Sequence, residues 1–258
     1  MGESMELPNN SFKKALKAGI HQIGIWNSIA GNSVPELLAT CGFDWVLIDT
    51  EHAPIEAVEI QSSLQSMAAY ENVSAVVRPA ANDPILIKRI LDMGALTLLL
   101  PYIQSPQEAK DAVSSVTYGP NGLRGMAGMT RATRYGMVEN YFERASEQIC
   151  LLVQVETMEA IEQLDAIALT PGIDGVFIGP ADLSASMGYP GEVNHPEVVK
   201  VILDAISKLN SLNVPSGILT LDFESAKRYI NAGTNFTAVG VDMVLLAEST
   251  RNLRKQFT

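Results

Sequence analysis

Cysteine and positive charge are both scarce in this chain. Its 258 residues contain two cysteines, Cys41 and Cys150. They form no CxxC pair and sit in apolar surroundings, so both read as buried structural thiols in a reducing cytoplasm. Eighteen Lys and Arg residues face 29 Asp and Glu, a formal charge of −11. Such a balance gives an acidic, soluble surface and argues against nucleic acid as a partner. No apolar run reaches about 18 residues without a charge or a break, so no transmembrane helix is expected. Residues 1–6 lack the basic region and apolar core of a signal peptide, and Glu6 stands where a myristoylation signal needs Ser or Thr. Linkers and internal repeats shorter than a strand-helix unit are missing too. Residues 1–10 read as a flexible N-terminus and 11–258 as a single domain.

Apolar residues make up 47% of the chain, enough for a large core. After an amphipathic helix over 11–19, strand-like and helix-like patterns alternate. Strands are expected at 22–26, 44–49, 74–78, 96–102, 149–156, 175–179, 215–219 and 236–241. Helices fall between them, at about 35–42, 55–70, 84–94, 106–116, 158–168, 196–210 and 222–232. A final helix covers 243–257. Residues 117–148, rich in glycine and arginine, break the rhythm and read as a long loop. Eight buried strands alternating with helices predict one (β/α)8 TIM barrel with an extra C-terminal helix. A doubly wound open sheet is the alternative, but the first strand leads into Asn27-Ser28-Ile29-Ala30-Gly31, which is no GxGxxG phosphate loop.

Barrel active sites form at the C-terminal ends of the strands. There the pattern places Trp26, then Asp49, Glu51 and His52, then Arg78, Gln154, Glu156 and Asp182. Val153–Glu156 and Val176–Asp182 each run from a buried strand into a carboxylate. Two acids at equivalent strand ends suit Mg²⁺ or Mn²⁺, which use one or two protein carboxylates plus substrate and water. Glu156 as a helix cap and Asp182 as a turn residue is the other reading. His52 can act as general acid or base, or bridge two loops. Arg78 can bind a substrate carboxylate or enolate, or salt-bridge Asp49 or Glu51. Asp92, at a helix end, has no local sign of function. His21 falls at the opposite face, and His195, before Pro196, reads as a helix cap. No lysine stands at the rim, since Lys88 lies inside a helix, and Schiff-base chemistry is disfavoured.

Several segments, taken together, resemble the HpcH/HpaI aldolase family. They are Gly42-Phe43-Asp44-Trp45, Asp49-Thr50-Glu51-His52-Ala53-Pro54, Val77-Arg78-Pro79, Leu91-Asp92-Met93-Gly94-Ala95, Gly122-Leu123-Arg124-Gly125, Val153-Gln154-Val155-Glu156 and Phe177–Ser184. The likeness runs from Ser11 to the final helix. It implies a TIM barrel assembled as a hexamer, a trimer of dimers, with the last helix exchanged between subunits. It also implies a cytoplasmic lyase that uses a divalent metal (Mg²⁺ or Mn²⁺, with Co²⁺ an option) to cleave a 4-hydroxy-2-oxo acid. The expected substrate is 4-hydroxy-2-oxoheptane-1,7-dioate, giving pyruvate and succinate semialdehyde. A 2-keto-3-deoxy sugar acid is the alternative. An acyl-CoA lyase would want a basic groove that this acidic chain lacks, and a non-catalytic metabolite-binding barrel would be indifferent to loss of His52.

By the same resemblance Glu156 and Asp182 hold the metal, Arg78 binds pyruvate, and His52 is the catalytic base. Asp92 pairs with the histidine of a neighbouring subunit. Gln154, Gly179, Pro180 and Ala181 line the pyruvate site with Trp26 and Leu219, and Asp49 and Glu51 stand behind them. Thr50 replaces a glycine common in relatives, and the loop at 126–137 is individual, so it is expected to bear on the aldehyde. One of Arg124, Arg131 and Arg134 is expected to reach the distal carboxylate of a dicarboxylic substrate.

Overall fold

The computed structural model describes residues 4–257. Eight parallel strands close into one barrel in sequence order: β1 (Gln22–Asn27), β2 (Trp45–Asp49), β3 (Ser74–Arg78), β4 (Thr97–Leu100), β5 (Cys150–Val155), β6 (Gly175–Ile178), β7 (Ser216–Leu219) and β8 (Phe236–Val241). Pairing of β8 with β1 completes the ring. The open-sheet alternative is thereby excluded.

Helices return the chain along the outside: α2 (Ser33–Ala39), α3 (Ala57–Met67), α4 (Pro84–Asp92), α5 (Pro106–Val116), α10 (Pro196–Ser211) and α11 (Phe223–Ala232). Their starts are written locally. Asp83 accepts from the amides of Ile85 and Leu86, and Ser105 forms a capping box with Glu108; a proline follows each cap. Two expectations fail here. The helix expected over 158–168 is broken at Gln163 into α7 (Met158–Glu162) and α8 (Leu164–Ala168). The long 117–148 loop contains α6 (Tyr141–Gln148), whose buried Tyr141 and Ala145 face the core.

The barrel interior is filled in layers drawn from alternate strands, because side chains two apart on a strand share a face. Trp45 and Phe236 occupy one even-strand layer, and the layer above them is hollowed out by glycine. A Cβ at Gly24 would lie 2.1 Å from the Trp45 ring, and one at Gly217 2.1 Å from the Phe236 ring. Large rings therefore dictate glycine across the barrel. Helix α1 (Ser11–Lys17) plugs the N-terminal end of the strands, with Phe12 edge-on to Trp45 at 5.9 Å and to Phe236 at 5.6 Å.

Of the ten residues expected as a flexible arm, Met1–Glu3 lie outside the described ones. Among the rest, the Met5 amide donates to Met137 O and Leu7 is buried. The Asn10 side chain caps α1 and donates to Leu96 O, Thr97 Oγ1 and Gln148 O. Cys150 is buried as expected, but Cys41 is exposed. It sits in the turn just after α2, on that helix's solvent side, with Sγ against Leu37 O.

The last helix, α12 (Asp242–Lys255), buries only Asp242 and leaves Met243, Leu245, Leu246 and Leu253 about half exposed. Among the described residues no helix is long and apolar enough to cross a membrane.

Candidate active site at the strand C-termini

The uppermost inward layer of the odd strands is Trp26, Arg78, Gln154 and Leu219, each two residues beyond an interior position of its own strand. Four residues expected in the site from different parts of the chain thus share one level of the barrel. The even strand β2 ends level with them at Asp49, which is in register with Arg78.

Arg78 is 6% exposed and makes a two-point pair with Asp49, Nε to Oδ1 at 2.9 Å and Nη2 to Oδ2 at 2.7 Å. Nη1 lies 2.9 Å from Glu51 Oε2 and donates to Gln154 Oε1 at 3.4 Å. The guanidinium also lies over the Trp26 ring, 5.1 Å from its centroid, and Trp26 Nε1 donates to Asp49 Oδ2. Both readings of Arg78 therefore meet in one geometry: it is salt-bridged, and it faces the mouth of the barrel. Burial pushes the Asp49 carboxyl up, but the Arg78 guanidinium outweighs it and holds the group below the usual carboxylate value.

Glu156 follows β5 and is 2% exposed. Gln154 Nε2 donates to its Oε2, and the Tyr102 amide donates to Oε1 at 2.9 Å. Tyr102 adopts φ 55°, an unusual conformation that aims this N–H at the carboxylate. Gly179, at the end of β6, leaves room for the carboxylate: a Cβ there would lie 2.6 Å from Glu156 Oε2. Burial first, then the charges of Asp182 and Glu51, raise Glu156 to about 7 against the opposing hydrogen bonds from Gln154 and Tyr102. The Glu51 carboxyl is likewise raised, first by burial, and its Oε2 is a buried atom without a hydrogen bond despite the nearby guanidinium.

Asp182 lies past the end of β6, as the sequence pattern suggested, but within a helix. It lies in the first turn of a short helix, α9 (Pro180–Ser186), that starts at Gly179, and it is exposed. Gly179 and Pro180 thus form the link between the Glu156 pocket and Asp182, with Ala181 exposed beside it. His52 stands beyond Asp49 with its side chain 67% exposed, its Nε2 3.9 Å from Glu51 Oε2. The amides of Glu51 and His52 both donate to Asp49 Oδ1, so Asp49 orders the β2 loop as well as Arg78.

Asp49, Glu51, Glu156 and Asp182 set four carboxylates against the one guanidinium of Arg78. Anionic substrates would be repelled by that excess, and a divalent cation at Glu156 and Asp182 is the natural remedy. Among the described residues no set of three or more His, Cys, Asp or Glu side chains is arranged to hold a metal ion. Carboxylate oxygens such as those of Glu156 and Asp182 are the donor type that a hard cation takes alongside substrate and water.

Four expected residues lie elsewhere. Asp92 is the last residue of α4, at the N-terminal end of the strands, and ion-pairs with Arg124 at 3.4 Å. Arg131 donates to Met93 O and Leu64 O at that same end. The loop carrying Arg124, Arg131 and Arg134 follows α5, so it too belongs to the end opposite its own active-site rim. No arginine of this loop can reach a substrate in its own barrel. His195 caps α10 as expected, accepting from the Glu197 amide and stacking on Tyr189 at 3.7 Å. His21, at the far end, hydrogen-bonds Thr237 Oγ1. The role of Tyr102 was not legible, because a backbone amide in a left-handed residue leaves no side-chain signature.

The family model described as HpcH/HpaI aldolase/citrate lyase matches residues 22–249. The chain belongs to the HpcH/HpaI aldolase family. It is 54% identical to a protein of Rhizobium etli named pyruvate aldolase, over 98% of this chain and 99% of the relative. It is 47% identical to a 4-hydroxy-2-oxo-heptane-1,7-dioate aldolase of Shigella boydii, over 96% of this chain and 95% of the relative. A crystal structure of a family protein from Burkholderia cenocepacia superposes with a TM-score of 0.92 at 37% identity, covering 96% of this chain and 99% of the other. The protein is accordingly an enzyme of the carbon–carbon lyase class.

Proposed function

We propose that this enzyme is a metal-dependent pyruvate aldolase that cleaves a 4-hydroxy-2-oxo acid, with 4-hydroxy-2-oxoheptane-1,7-dioate as the best candidate and a 2-keto-3-deoxy sugar acid as the alternative. The observation that carries the reading is the Glu156 pocket, a buried carboxyl raised to about 7 beside Asp182 and Glu51 and level with Arg78. Glu156 and Asp182 would hold Mg²⁺ or Mn²⁺. Such a cation, when bound, supplies Lewis-acid stabilisation of negative charge on the oxygens of a 2-oxo acid.

The residues of the chain divide the remaining work. Arg78, locked by Asp49, presents a fixed positive charge at the barrel mouth for the substrate carboxylate and the developing enolate. Gln154 orients the Glu156 carboxylate. His52, exposed above the pocket, takes the proton of the 4-hydroxyl group. As the C3–C4 bond breaks, C4 becomes the aldehyde carbon and the electron pair passes to the enolate, which is reprotonated at C3 to give pyruvate. Ala181 and Leu219, with the Trp26 ring beneath, border the space left for the substrate.

Asp92 stands at the other end of its own barrel from His52, about 16 Å away along five strand residues, so its pairing with a histidine requires a second subunit. The half-exposed apolar residues of α12 support a homo-oligomer, proposed as a trimer of dimers with α12 exchanged. A cytoplasmic location suits two cysteines that remain unpaired. The test is pyruvate release from 4-hydroxy-2-oxoheptane-1,7-dioate and from 2-keto-3-deoxy sugar acids, coupled to lactate dehydrogenase. Release from one of them, lost in His52→Ala, supports the reading; no release from any overturns it.

A further inference from the structure

Arg124, at the N-terminal end of the barrel, has no side-chain surface in contact with solvent. Its guanidinium lies over the Tyr118 ring, 4.4 Å from the centroid, and Tyr118 is in turn edge-on to Phe142 at 5.2 Å. A tight turn after α5 delivers it. The Leu123 amide donates to Ser114 O and the Arg124 amide to Thr117 O. Gly122 permits that turn, since a Cβ there would lie 2.2 Å from Thr117 O and 2.6 Å from Ser114 O. Burying a guanidinium is costly unless it is paired, and among the described residues Nε and Nη1 have no hydrogen-bond partner. Among the described residues the one carboxylate that Arg124 meets is Asp92, Nη2 to Oδ1 at 3.4 Å.

Asp92 is itself in an adverse place. It ends α4, where the helix dipole disfavours an anion. It is also partly buried, with Lys88 as the other cation near it and the Tyr118 hydroxyl the other titratable group facing it. Its backbone carbonyl accepts from the Ala132 amide, so the loop bearing Arg124 grips the residue twice. Its side chain nevertheless keeps 23% of its surface open, whereas Arg124 keeps none. The pair is one-sided: the cation is sealed inside, and the carboxylate looks out.

We propose that Arg124 is a positioning residue that fixes the Asp92 carboxylate, from within its own subunit, for use against His52 of a neighbouring one. This rests on the reading of Asp92 given above. It adds the 117–125 turn to the machinery of a site it cannot touch. A residue that merely filled space here would be better served by an apolar side chain.

The experiment measures pyruvate release by the full-length oligomer with saturating Mg²⁺ or Mn²⁺. It compares the starting enzyme, Asp92→Asn, Arg124→Gln, the double variant and Arg124→Lys. Arg124→Gln is expected to lower kcat by at least about tenfold with KM changed less than about twofold, and to add less than about twofold once Asp92 is already Asn. Arg124→Lys, which keeps a buried cation, is expected to recover at least about half of the lost kcat. Equal losses from Arg124→Gln in both backgrounds, or no loss at all, would overturn the proposal. If Arg124→Gln cannot be purified, Arg124→Lys is compared in both backgrounds, and additivity there overturns it equally. Unchanged turnover in Asp92→Asn would instead remove the reading of Asp92, and this inference with it.

Discussion

Arg78 and Asp49 face each other at the ends of adjacent strands and share two hydrogen bonds, at 2.9 and 2.7 Å, with almost no access to solvent. A planar fork meets a planar carboxylate, which lysine cannot imitate. Arg78→Lys is therefore expected to lower kcat/KM by about 100-fold or more in pyruvate release, in line with loss of a fixed charge at a developing oxyanion. Asp49→Ala, which strands the buried guanidinium, should cost about 3 kcal/mol in denaturant unfolding. A stable, active Lys variant would mean that Arg78 only braces the barrel.

The Glu156 carboxyl sits at about 7 instead of the ordinary value near 4.5, first because it is buried. In the chelated protein the folded chain then holds a proton that the unfolded chain has already lost. This contribution to stability is full below about 4.5 and disappears as pH rises through about 7. Melting curves in EDTA should fall in Tm across that window, and Mg²⁺ should restore Tm most at the upper end, where the carboxylate is free to bind. Glu156→Gln should lack this part of the slope. Parallel pH profiles for the two proteins would contradict the assignment.

Gly179 is kept free of a side chain by the carboxylate behind it. In Gly179→Ala the new methyl would meet Glu156 Oε2 at 2.6 Å and the Glu156 Cβ at 2.8 Å. Displacing a ligand typically weakens metal binding by about tenfold or more. Titration of activity with Mn²⁺ should show that shift, and an unaltered half-saturating concentration would refute it.

Gly24 makes the equivalent demand in the core, one layer below the site. Its added methyl would fall inside the Trp45 ring, at 2.1 Å. Gly24→Ala is expected to destabilise by about 2–3 kcal/mol through forced repacking. Chemical denaturation would detect it, and a cost below about 0.5 kcal/mol would mean the ring relocates freely.

The barrel was legible because buried parallel strands read as continuous apolar runs, and eight of them alternate with capped helices. Trp26, Arg78 and Gln154 followed from that alone, and Leu219, expected from the family resemblance, shares their layer. Long-range placement was harder. The 117–148 arginines look like ligands for an anion, yet the chain direction of α5 puts them at the wrong end of their own barrel. Asp182 sits in a helical turn too short to carry a period of its own. Cys41 was misplaced because an apolar neighbourhood in sequence is not one in space. The pairing of Asp92 with Arg124 joins residues 32 apart by a contact that no local pattern announces.

The most direct test of the central claim is pyruvate release before and after thorough chelation with EDTA, followed by return of Mg²⁺ or Mn²⁺. The account predicts that chelation abolishes activity, that either ion restores it, and that Glu156→Gln and Asp182→Asn are not rescued. Full activity after the metal is gone would contradict the account at its root, because the Glu156–Asp182 pair would then have no cation to hold.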